Sequence, residues 1–74
     1  MSLTIETSGS DINGSDAEIA EGVDAALTYA STQGLTVAEM MADEDHRAQA
    51  ELRALKAAFA GWLCWPESAQ LVNY

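Results

Sequence analysis

Apolar residues recur at helical spacing in two stretches of this chain and at a period of two near its ends. Ile19, Val23, Ala26, Leu27 and Ala30 form one stripe along a predicted first helix over residues 16–33. Ser15 stands three residues before Glu18, the capping-box arrangement, and Asp16 and Glu18 place negative charge at the positive end of the helix dipole. Gly34 suits the left-handed residue that ends such a helix.

Thr36 and Glu39 repeat the capping signal for a second helix. Its stripe is Val37, Met41, Ala48, Leu52, Leu55, Phe59 and Trp62, a seam suited to packing on another helix, and Pro66 stops it. The spacing predicts one unbroken helix over 36–64. Asp43, Arg47 and Glu51 stand four apart as a charge ladder. The like charges of Asp43-Glu44-Asp45 are the weak point, and the alternative is a break there with Asp43 capping a new helix.

The ends read differently. Leu3 and Ile5 alternate with Thr4 and Glu6, Ser8 to Gly14 is turn chemistry, and Ala69 to Tyr74 resembles a short strand. The two terminal segments can pair, with the helices as a floor. The expected fold is mainly α: an antiparallel helical hairpin, a short N-terminal extended segment and short terminal β-strands. It forms one domain over residues 1–74, with an extended segment and linker over 1–15 and a tail over 66–74.

The expected helices are unequal, about 25 Å against roughly 43 Å. Residues 53–65 should overhang, leaving Leu55, Phe59, Trp62, Leu63 and Trp65 as an aromatic patch. Three things could bury it: the terminal segments through Leu3, Ile5, Leu71 and Val72, a second copy of the chain, or a target protein.

Charge sharpens the picture. Residues 1–46 hold ten acids and no Lys or Arg, whereas residues 47–74 hold three bases and two acids, for a net charge of −9. A solvated surface usually mixes both signs. Glu18, Glu21 and Asp24 on the first helix, with Asp43, Glu44 and Asp45 on the second, are the candidate acidic face. Such charge repels phosphates, so direct binding to nucleic acid or anionic membrane is not expected, and the partner should be a basic protein surface. No apolar run reaches the ~20 residues of a membrane span, and the first residues lack a secretory signal, which points to the cytoplasm.

Little suggests catalysis. Asp43 and His46 share a helix face, but two ligands do not make a specific metal site, and His46 is expected to be solvated. Asp11, Asn13 and Ser15 begin like a calcium loop that then lacks its glycine and its twelfth-position Glu. Asn13-Gly14-Ser15 matches a glycosylation acceptor with no secretory context. Cys64 is expected to be a small apolar residue near a helix end. No activated nucleophile or phosphate loop is present, so no enzyme activity, cofactor or metal is expected.

Short length, acidity and a helical hairpin are shared with many phage-encoded inhibitors, including nucleic-acid mimics. That is a likeness of class resting on charge and length alone. The leading expectation is an acidic inhibitor or adaptor that docks on a basic, nucleic-acid-binding protein. The alternative is an assembly protein, a helical-hairpin homodimer or larger homo-oligomer joined through the aromatic half. An antitoxin or immunity protein is a third reading with the same physics.

Overall fold

The structure is a computed structural model and describes residues 2–7 and 15–74. Its elements are β1 (Leu3–Glu6), α1 (Asp16–Gln33), α2 (Val37–Ala42), α3 (Glu44–Ala58) and β2 (Gln70–Asn73). The expected linker over 8–14, with the calcium-like and glycosylation-like motifs on it, lies outside the described residues.

Both expected capping boxes form. The Ser15 N–H donates to Glu18 Oε1 at 2.9 Å and the Glu18 N–H to Ser15 Oγ at 3.3 Å. Thr36 and Glu39 exchange the same pair at 2.9 and 3.1 Å. Gly34 closes α1 at φ 69, where a side chain would be strained.

The second helix departs from the expected unbroken span of 36–64. It breaks at Asp43, whose backbone is extended (φ −92, ψ 121) and whose carboxylate accepts the N–H groups of Asp45 and His46 at 3.0 and 3.1 Å. A short acidic side chain competes well for free N–H donors, and the negative run is better placed opening a helix than inside one. α3 then ends at Ala58, with Phe59 as its C-cap. At 1.5 Å per residue α1 is about 27 Å long and α3 about 22 Å, so the expected overhang does not exist.

α1 and α3 pack antiparallel through a seam of small residues. Gly22, Ala26 and Ala30 face Ala50, Ala54 and Ala58, each set spaced by four and each residue buried. The close approach explains why the expected stripe is displaced. Leu52 is 51% exposed and Leu27 41% exposed, while Met40 replaces Met41 in the interior. Larger side chains would hold the helices apart, so they turn to the flanks.

The terminal strands pair antiparallel, with Ile5 opposite Leu71 and Thr4 opposite Val72. Ser2 and Tyr74 extend the ladder by two backbone bonds of 2.8 and 2.9 Å. Ile5, Leu71, Phe59 and Met40 are the largest fully buried side chains, so the termini cover the aromatic end of α3 as the first of the three expected outcomes has it. Glu51 ties the ribbon to α3 by accepting the Leu71 N–H at 3.1 Å. With Asp43 capping α3 and Glu51 holding β2, the expected Asp43–Arg47–Glu51 ladder gives way to a local cap and a tertiary bond.

Candidate functional site

The acids divide by what they do. Glu18 is engaged twice, by the Ser15 cap and by the Trp62 indole Nε1–H, which donates to Glu18 Oε2 at 2.8 Å. The Ser15 backbone N–H, then the Trp62 indole, then the Ser15 hydroxyl hold the Glu18 carboxyl below the ordinary 4.5. Asp43 is the α3 cap, and Glu39 caps α2 with its carboxyl lowered by the Thr36 N–H and hydroxyl. Glu6 accepts the Tyr74 hydroxyl, a contact that raises the Tyr74 pKa. These carboxylates hold the fold.

Of the six acids of the expected face, Glu21, Asp24, Glu44 and Asp45 remain. All four are exposed, and their carboxylates have no hydrogen bond or ion pair among the described residues. Helical spacing places Glu21 and Asp24 on the side of α1 opposite Gly22 and Ala26, and Asp45 on the side of α3 opposite Ala50 and Ala54. The helices meet through those small residues, so the two sets of acids face away from each other. They also lie at different heights. His46 is level with Tyr29 of α1, and Glu21 stands eight residues earlier, about 12 Å along the axis. The expected acidic face is therefore two unengaged pairs, joined by acids that serve as caps.

The five residues of the expected aromatic patch also separate. Phe59 is fully buried, with Trp62 edge-on to it at a centroid distance of 4.7 Å. Leu55 is half-buried. Leu63 is fully exposed, Trp65 is 37% exposed, and Cys64 between them is an exposed free thiol. Trp62 lies against Glu18, so this tip sits beside the first turn of α1. One member of the expected acidic face and one of the expected aromatic patch are thus bonded to each other.

His46 is half-buried rather than solvated. Its Nδ1 lies 2.9 Å from the Tyr29 hydroxyl, because the new start of α3 turns His46 onto the same face as Ala50. Arg53 covers the other side of Tyr29, its guanidinium carbon 4.5 Å from the ring centroid, and bonds Gln49 Oε1 at 2.9 Å. This Tyr29–His46–Arg53 cluster was not anticipated, although His46 and Arg53 stand seven apart and so share a face. Among the described residues no three His, Cys, Asp or Glu side chains converge to hold a metal ion. No helix among them is long and apolar enough to cross a membrane. Comparison with protein-family models, with curated proteins and with solved structures found no match to this chain.

Proposed function

We propose that this chain is a small acidic protein-binding inhibitor or adaptor that docks an anionic surface on a basic surface of a target protein in the cytoplasm. The reading rests on one observation. Glu21, Asp24, Glu44 and Asp45 stay exposed and unengaged within a 46-residue stretch that holds no Lys or Arg. Glu21 and Asp24 give the fold no bond, and Glu44 and Asp45 give it only their favourable charge at the start of α3. A basic partner would attract all four and hasten encounter. A target that itself binds nucleic acid fits best, because its phosphate site already displays the required Lys and Arg.

The test is to reverse the four together (E21K/D24K/E44K/D45K) and follow binding to a target captured from the native host. The reading requires binding to be abolished while the circular dichroism spectrum is kept. Unchanged binding would reduce these acids to solubilising surface. Glu18 and Asp43 are left out of the reversal, because both cap helices and their loss would confound fold with binding.

A second reading, the helical-hairpin homo-oligomer, draws on the exposed Leu63 and Trp65. It no longer has an overhanging helix behind it.

A further inference from the structure

The turn that follows α3 leaves apolar side chains in water where the chain has the means to bury them. Trp62 is drawn back onto Phe59 and Glu18, and its N–H donates to the Phe59 carbonyl at 3.0 Å. Leu63 is then fully exposed, and Trp65 keeps 37% of its surface exposed. Single exposed apolar residues are ordinary, but Leu63, Cys64 and Trp65 are three exposed residues in succession, an apolar tip on one loop. The tip is set in negative charge. Glu18 is beside it through Trp62, Asp16 and Glu21 lie within a turn of Glu18, and Glu67 follows Pro66. Lys56 is the one base in the last turn of α3.

An apolar tip with acids beside it, on a chain of net charge −9, matches a ligand of opposite pattern. We propose that Leu63 and Trp65 anchor a cationic amphipathic segment of the partner protein, its apolar residues on the tip and its Lys or Arg side chains over Glu67 and the acidic start of α1. The inference rests on the reading of the chain as a binder of basic proteins. It adds where on the surface the contact is apolar and what the partner must offer there. Aromatic anchors at the centre of a charged rim carry most of the energy in such contacts, whereas the rim sets encounter rate.

The test uses the whole chain and two labelled peptides of equal positive charge: a leucine/lysine helix with its leucines on one face, and a serine/lysine control. Burying Leu63 and Trp65 should make the chain bind the leucine/lysine peptide on the order of tenfold or more tighter than the control. The double variant L63S/W65S should bring the two affinities to parity, with control binding and the circular dichroism spectrum unchanged. A full preference retained by L63S/W65S would overturn the inference. Salt-sensitive binding of the control peptide would still stand in that case, so the acidic-surface reading is judged separately. Concentration-dependent self-association of the wild type that L63S/W65S abolishes would assign the tip to a second copy, and would overturn the inference as well.

Discussion

Replacing Gly22 by Ala probes the seam on which every other placement depends. A Cβ at Gly22 would stand 2.5 Å from Ile5 Cδ1, 2.7 Å from the Ala54 carbonyl oxygen and 2.9 Å from Ala58 Cβ. Ile5 can swing aside. The other two atoms belong to α3 itself, so the helices must part by several tenths of an ångström along the whole Gly22–Ala26–Ala30 row. Overpacking of this kind costs ~1–3 kcal/mol. Ala in a helix interior recovers about 0.8–1.0 kcal/mol over Gly. The net is a loss of up to about 2 kcal/mol, and for a domain of this size that lowers Tm by as much as about 15 °C. Gly61 is the control, since a Cβ there meets nothing within 4 Å. Thermal melts and urea titrations of both variants, followed by circular dichroism, give the comparison. The sign decides. On an open helix face Gly22→Ala would stabilise by about 1 kcal/mol, so a Tm several degrees above wild type would refute the close approach of α1 and α3.

Three further outcomes follow from the same contacts. Asp43→Ala removes the α3 cap and should cost about 1 kcal/mol in urea titrations, whereas an unbroken helix through 43 would lose nothing or gain. Trp62→Ala should destabilise by less than the ~3–5 kcal/mol of a fully buried aromatic, because Trp62 is half-exposed, and Trp62→Phe should recover part of that by restoring the edge contact with Phe59. Stability should also depend on pH from both sides. Glu18 and Glu39 are held below 4.5, so their contribution is present above 4.5 and is lost as pH falls through the lowered values. Tyr74 is held above 10.0 by Glu6, so its contribution is present below 10.0 and is lost as pH rises through the raised value. Melting curves against pH should show Glu18→Gln flattening the acid limb alone.

The features most legible in the sequence were local. Ser15–Glu18 and Thr36–Glu39 announce helix starts through side chains three residues from their partners, Gly34 announces an end by lacking one, and the structure uses all of them. The β1–β2 pairing was legible for a similar reason, as two short alternating segments with no other floor than the helices. The seam was not. Large apolar residues dominate a periodic stripe, so Val37, Met41, Ala48 and Leu52 outweighed Ala50, Ala54 and Ala58. Only the closeness of α1, itself set by Gly22 and Ala26, makes the alanines the better core. The same misweighting favours joining α2 to α3, since a continuous stripe outweighs the alternative break with Asp43 as a cap, which is what the structure adopts.

For the candidate site, composition showed the charge imbalance and nothing finer. Glu18 and Glu21 look alike in the sequence. One accepts an indole from a residue 44 positions away, and the other is unengaged. Long-range partners of this kind arise from topology, and no spacing rule reports them. Leu63 and Trp62 are neighbours in one apolar run, yet the turn after Phe59 sends one outward and the other onto the core.

The central claim, that the unengaged acids meet a basic protein surface, is tested most directly by the ionic-strength dependence of association with the captured target. Raising salt from 0.01 to 0.15 M shortens the Debye length from about 30 Å to about 8 Å. The account predicts an association rate constant that falls on the order of tenfold or more across that range, with a dissociation rate that changes far less. An association rate that is flat in salt would contradict it.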